Sequence, residues 1–432
     1  MNTLDLLRQY ESRNVTFMEA DASWPIVWAR AKGVHVWDEA GRKYLDLTAA
    51  FGVASAGHAN SRVVRAGQQQ MATLLHAMGD VHPHALKAKL ARELNRLWGQ
   101  SIVSPSQSRS RRSAKTIFCN SGFEAVEAAL KTAILATGKS EIVAFAGAYH
   151  GLGYGALNAT HRDHFRSPFR SQLGDFGHFV PFPTTRRHLV STEDTIRRLL
   201  KSHSIGAILV EPMQARGGIN LPPKQFLPLL RRLCDDHGAL LILDEIYTGF
   251  GRTGTWFACE HSGVAPDLIC LGKALTGGFP LSACVGRADV MDAAWPESTG
   301  EAIHTSTFLG HPVGCAMALA QIAEIRRLKL VARSETLGDF LLAELGQLKS
   351  TALTLKARGA GLMVGLELTH HDGTPATMES LIIIKRLLHL GFIFLPEGEH
   401  ANVISFTPPL TITRVQLRSA VRALAAELRR FA

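Results

Sequence analysis

Short, continuous apolar runs alternate along the chain with longer stretches whose apolar positions recur every three or four residues. The runs at 141–146 (EIVAFA), 205–210 (IGAILV), 239–243 (ALLIL), 267–271 (DLICL) and 281–285 (LSACV) are too short for helices and apolar on both faces. That pattern predicts strands, with 239–243 and 267–271 as buried parallel ones, and 115–120 (KTIFCN) reads as a further strand. Helical spacing occurs over 85–98, over the stretch leading to His237, from Arg414 onward, and from Ser121, where Phe123, Val126, Leu130, Ala133 and Ile134 recur in step. Strand and helix in alternation add one strand per unit, so the fold class expected is α/β with a mainly parallel central sheet. At the amino end, 31–47 (AKGVHVWDEAGRKYLDL) reads instead as a hairpin about an acidic, glycine-containing turn. Segments 360–367 and 392–396 read as strands separated by a helix.

Two of the apolar runs end in charge. The run at 239–243 delivers Asp244 and Glu245, and the run at 267–271 delivers Lys273 into a stretch of small residues, Ala274 to Gly278. In open α/β sheets ligands sit at the carboxyl edge, so a carboxylate and a lysine are expected to face one crevice. A neutral lysine amine forms an imine with a carbonyl, and a carboxylate holds a pyridinium nitrogen protonated, the two needs of pyridoxal 5'-phosphate (PLP) as an electron sink. At an effective dielectric of about 20, unit charges 4 Å apart attract by roughly 4 kcal/mol, enough to set the protonation of a ring nitrogen. Taken singly, a strand-end Asp capping a turn and a solvated Lys would account for either residue.

The longer motifs carry a resemblance. DEIYTGFGRTG (244–254) followed by GKALTGGFPLSA (272–283) closely resembles the class III PLP-dependent aminotransferases, the ornithine, 4-aminobutyrate and ω-amino acid group that includes glutamate-semialdehyde aminomutases. The likeness runs from about Ala31 to Thr413. It implies PLP fold type I, with a large cofactor-binding domain over 57–310 and a smaller α+β domain made of 1–56 and 311–432. It implies Lys273 as the Schiff-base lysine, Asp244 as the pyridinium partner, and Ile246 on one face of the cofactor ring. Tyr149 would stack on the other face with His150 beside it, and Tyr247 stands where many members carry a glutamine near the ring hydroxyl. SGFEAVEAALKTA (121–133) resembles the phosphate cup, with Ser121, Gly122 and Phe123 as phosphate binders, although Ser121 and Glu124 also fit a capping box. In the segment HTSTFLGHPVGCAMALA, Thr307 matches the threonine that reaches the phosphate of the neighbouring subunit, so a homodimer with shared active sites is implied. Glu211 matches a cofactor-pocket glutamate commonly paired with an arginine near the carboxyl terminus, and Ser405 stands in that arginine's place. Glu211 is then expected to be unpaired and to favour a donor whose amine is not α to a carboxylate, unless another basic residue holds that group.

The activity this implies is transfer of an amino group between an amine or amino acid and an oxo acid or aldehyde. An aminomutase of the semialdehyde type would use the same site. A non-catalytic binding protein of this fold is disfavoured by the presence of both Asp244 and Lys273.

Composition narrows the rest. A chain of 432 residues exceeds what one core organises, and 46% hydrophobic with 19% charged residues describes an ordinary globular protein. No apolar run approaches the roughly 18 residues of a membrane span, and the acidic start MNTLDLLRQYESRNVTFMEAD suits neither a signal nor a transit peptide, so a cytoplasmic location is expected. Six cysteines without a CxxC pair read as buried thiols, with no metal among them. The net charge of +10 comes without an aromatic-interleaved basic patch, so nucleic acid is not an expected partner, and the field would draw in anionic substrates. The polar, basic stretch 101–112 (SIVSPSQSRSRR) reads as a surface loop. GFGRTG (249–254) matches a dinucleotide fingerprint but opens no apolar-periodic helix, which removes the context that motif needs.

Overall fold

The computed structural model describes residues 2–20, 23–102 and 113–431. Near the amino end, β1 (Trp28–Lys32), β2 (His35–Asp38) and β3 (Lys43–Asp46) form an antiparallel ribbon, one strand more than the expected hairpin. Helices α1 (Ser61–Thr73) and α2 (Ala85–Leu97) follow.

The central sheet is built from β4 (Ala114–Cys119), β5 (Glu141–Phe145), β6 (Gly177–Val180), β7 (Ile205–Val210), β8 (Leu240–Asp244), β9 (Leu268–Leu271) and β10 (Ser282–Arg287), in the order β4-β10-β9-β8-β7-β5-β6. The five strands from β9 to β6 are mutually parallel, whereas β10 runs antiparallel to both β9 and β4. Every residue of β7 is buried, as a strand covered on both faces requires. β6 was not legible in the sequence, because GHFV is short and only its last residue is buried.

Helices α3 (Gly122–Thr137), α4 (Arg186–Ser202) and α5 (Phe226–His237) supply the crossovers. α3 does not bury the face its largest residues suggest. It packs on the sheet through Ala125, Val126, Ala128, Ala129 and Ala133, and leaves Ile134 44% exposed. Small side chains let the helix approach the strands closely, and that proximity sets the position of its amino end. α5 stops at Gly238, whose φ of 60° is the left-handed cap glycine adopts without strain.

Beyond the large sheet come α6 (Pro312–Arg327), α7 (Leu330–Gly346), a second antiparallel sheet with α8 (Thr377–His389), and the terminal α9 (Arg414–Leu428). That sheet contains β11 (Thr354–Ala360), β12 (Met363–Thr369), β14 (Leu395–Glu397) and β15 (Val403–Phe406), in the order β11-β12-β15-β14. β13 (Phe392–Ile393) instead pairs in parallel with β3, so late chain completes the amino-terminal sheet. β11 escaped the sequence reading because TLKARGA carries two charges and no buried residue.

All six cysteines are buried and free, as read from their spacing. The GFGRTG segment is a turn with positive φ at Phe250, Gly251 and Gly254. Its Arg252 is fully buried and donates to the carbonyls of Leu362 at 3.0 Å and Pro408 at 2.6 Å, a tie to distant chain rather than a phosphate site. Most of the basic loop, 103–112, lies outside the described residues. Among the described residues no helix is long and apolar enough to cross a membrane.

Candidate active site

The carboxyl ends of the parallel strands open on a cavity of about 510 Å³. β8 ends at Asp244, where Oδ1 accepts from the Ile246 amide at 3.0 Å and Oδ2 lies 2.7 Å from His150 Nδ1. A carboxylate partner places the proton of a neutral His150 on Nδ1. Its Nε2 is buried with no hydrogen-bond partner among the described residues. Glu245 turns the other way and accepts from Thr248 Oγ1 and from the amides of Ala258 and Cys259, so it braces the turn outside the cavity.

Lys273 follows β9 in a short 3₁₀ turn, with φ of 43°, a left-handed conformation that residues with side chains seldom adopt. Burial pushes its ammonium below the ordinary lysine value, against the opposing pull of Asp244 and Glu211. A lysine moved toward the neutral amine is the nucleophile that imine chemistry requires. Its Nζ stands 4.7 Å from the centre of the Tyr247 ring. The Tyr247 hydroxyl is committed to Thr407 Oγ1 at 3.2 Å, and burial pushes the phenol up to about 12. Tyr247 therefore turns its ring face, rather than its hydroxyl, toward Lys273.

The amino end of α3 forms another wall. Ser121 is the cap residue but makes no side-chain cap bond. Glu124 accepts from the backbone and side-chain nitrogens of Asn120 at 2.8 and 3.2 Å, so the capping box between Ser121 and Glu124 does not form. The Ser121 hydroxyl is buried without a partner among the described residues, beside the free amides of a helix start. Gly122 and Phe123 line the cavity, and a Cβ on Gly122 would come within 3.0 Å of Ile246 Cδ1. Tyr149, His150, Glu211 and Ile246 line it as well. Thr307 does not: it is exposed, close to Asn120 only through its neighbour Ser306.

Two expectations are corrected. Ser405 lies inside the second sheet, paired with Gly365 and Leu395, and its hydroxyl donates to the Leu395 carbonyl at 3.0 Å. Glu211 is not an unpaired acceptor, since Oε1 accepts from the Tyr149 amide at 3.1 Å and Oε2 from the Ala215 amide at 3.0 Å. Burial, reinforced by Asp244, raises its carboxyl to about 7. The residue that the sequence reading left unnamed is Arg216. It lines the cavity with its guanidinium 5.5 Å from the Tyr149 ring centre and 3.6 Å from Glu397 Oε2, a separation too long for a hydrogen bond. Its Nε has no hydrogen-bond partner among the described residues. Its place in the loop after β7 gave no periodic signal, and its charge was hidden among 47 lysines and arginines.

The model of the family described as aminotransferase class-III matches residues 17–428. An acetylornithine aminotransferase of Methanosarcina mazei is 36% identical over 94% of this chain and 93% of its own. A 5-aminovalerate aminotransferase of Pseudomonas aeruginosa is 36% identical over 93% of each chain. The chain belongs to the class-III aminotransferases. Solved members superpose on this one over almost their whole length: an amine transaminase from an uncultivated Pseudomonas species, in PLP-bound form, gives a TM-score of 0.87 at 28% identity, covering 98% of this chain and 99% of that one. Ornithine aminotransferase of Toxoplasma gondii gives 0.83 at 28% identity, covering 98% and 93%. The protein is thus a PLP-dependent transaminase of fold type I, and amino transfer is favoured over the aminomutase reading. Its cavity fits the cofactor, because a carboxylate and a lysine depressed by burial line one space of suitable size, and an unpartnered hydroxyl at a helix start adjoins Gly122 on its wall. When bound, PLP supplies the electron sink that stabilises negative charge on a substrate carbon.

Proposed function

We propose that this aminotransferase takes its amino group from an amine or ω-amino acid rather than an α-amino acid, and that Arg216 grips the carboxylate of an acidic substrate. The observation that carries this reading is the pairing of Arg216 with Glu397 at 3.6 Å on the cavity wall, while position 405 holds a serine enclosed in a sheet. A guanidinium with donors to spare binds a carboxylate through two parallel hydrogen bonds, where a serine offers one neutral bond. The 5-aminovalerate relative, by its name, acts on an amine remote from the carboxylate, which supports the same geometry here.

Around that grip, Ser121, Gly122 and Phe123 bind the cofactor phosphate, Ile246 and Tyr149 enclose its ring, and His150 fixes the Asp244 carboxylate against the ring nitrogen. Lys273 moves the proton at the reacting carbon as a general base and acid. Exposed apolar side chains support a homodimer, since Met71, Leu74, Leu75, Met78 and Val81 are exposed along the segment whose His76 ring meets the exposed Phe308 at 5.3 Å, next to Thr307. In that dimer Thr307 serves the partner's phosphate site. Pairing of β13 with β3 supports reading 1–56 and 311–432 as two parts of one small domain flanking 57–310. A cytoplasmic enzyme acting on small molecules suits six unpaired thiols.

Steady-state kinetics with a simple amine, an ω-amino acid and an α-amino acid as donors tests the donor class. Arg216→Met should raise KM for carboxylate-bearing substrates by about 10- to 100-fold and leave a simple amine within about threefold. Preference for the α-amino acid, together with indifference to Arg216→Met, overturns the reading.

A further inference from the structure

We propose that Glu141, His178 and His203 form a binding site for a divalent transition-metal ion, zinc above all, on the edge of the central sheet opposite the catalytic one. Glu141 is the first residue of β5, His178 the second of β6, and His203 follows α4 two residues before β7 begins. Those three strands are adjacent and parallel, so all three residues lie at the amino edge. Asp244, by contrast, is the last residue of β8.

The backbone positions are set by the ladder itself. Val143 is in register with His178, and the Glu141 amide donates to the Ser204 carbonyl at 3.0 Å. On that frame Glu141 Oε2 lies 2.8 Å from His178 Nε2 and 3.0 Å from His203 Nδ1, and the three ligand atoms are all within 4.8 Å of one another. The two imidazole rings have centroids 4.3 Å apart and tilt by 52°, each with one nitrogen on Glu141 Oε2.

Zinc bound tetrahedrally at about 2.0–2.1 Å separates its ligand atoms by about 3.3 Å. Each nitrogen–oxygen separation, now 2.8 and 3.0 Å, need open by only a few tenths of an ångström to admit the ion. Two imidazoles and one carboxylate are a zinc donor set with one position left for water, whereas magnesium and calcium require more oxygen ligands. The cluster opens on a cavity of about 790 Å³, which gives the ion an entry path. Two lysines also line that cavity, but Lys139 Nζ is held on the carbonyls of His237 and Gly238 at 2.7 and 3.2 Å, and Lys131 Nζ faces His304 Nδ1 at 3.3 Å. Glu127 and Asp175 add carboxylates to the same wall. An ion there would clip β5, β6 and the turn into β7 together, a stabilising role separate from transamination.

The test uses holoenzyme without a histidine tag, stripped with chelator and titrated with Zn²⁺ or Mg²⁺ while thermal unfolding is followed. Zn²⁺ should bind stoichiometrically and raise Tm by several degrees, with Mg²⁺ inert; Co²⁺ should give visible d–d bands outside the cofactor absorption. His178→Gln and His203→Gln should each weaken Zn²⁺ binding by about tenfold or more and abolish the Co²⁺ bands, with the transamination rate unchanged. Absence of stoichiometric Zn²⁺ binding, or binding that both glutamine variants retain, overturns the site and leaves a hydrogen-bonded cluster only.

Discussion

At Lys273 burial, backbone strain and charge act on one amine, and the chemistry depends on that combination. Lys273→Ala should still bind cofactor but lose turnover by several orders of magnitude, and borohydride should no longer fix the cofactor to the chain. Mapping the reduced adduct of the unaltered protein to another lysine would refute the assignment. Asp244→Asn keeps nearly the same shape and the bond from the Ile246 amide, so Tm should change little while the rate collapses. Activity within about threefold of the unaltered enzyme would make Asp244 a turn-bracing residue only. Glu211 carries a different prediction. Its carboxyl, about 7 in the folded chain against an ordinary 4.5, keeps its proton where the unfolded chain has lost it. The native state then binds more protons between those values, so this residue's contribution is fully present below pH 4.5 and is lost as pH rises through 7. The size is up to about 3 kcal/mol. Chemical denaturation of Glu211→Gln from pH 4.5 to 8 should show a flatter stability profile than the unaltered protein, and parallel profiles would exclude the buried acid as the cause.

Among the elements, the amino end of α3 shows how one sequence pattern serves two readings. Ser121 followed by Glu124 fits a capping box, and nothing in the spacing says which partner the hydroxyl takes. The fold decides it, because Asn120 claims Glu124 and leaves Ser121 free at the cavity edge. Ser121→Ala should therefore leave helix stability nearly unchanged while weakening cofactor binding by about tenfold, the worth of one hydrogen bond to a charged group. A cap role would do the reverse, and measuring cofactor release alongside Tm separates the two. The strand β15 teaches the same lesson. Ser405 stands within it with its side chain in β-sheet packing at 2% exposure, while the arginine that lines the cavity, Arg216, sits on the loop after β7.

For the whole molecule, the prediction concerns the proposed dimer. Thr307 is exposed on one chain, beside apolar side chains that a monomer would leave in water. If the proposed dimer shares its sites, Thr307→Ala should lower cofactor affinity without changing sedimentation, and a monomer in solution at micromolar concentration would refute the shared site.

Most strands of the central sheet, the buried thiols, and the strand-end placement of Asp244 and Lys273 were legible in the sequence, because local periodicity and strand-end position are properties of neighbouring residues. DEIYTGFGRTG and GKALTGGFPLSA likewise carried the family through contiguous residues. Tertiary structure alone decided the rest: the antiparallel β10, the alanine face of α3, the turn of Tyr247 toward Thr407, the partners of Glu211, and the meeting of Arg216 with Glu397 across 181 positions of chain. Each depends on which side chains from distant segments compete for one buried space, and hydrogen bonding and desolvation settle that competition only after the sheet has closed.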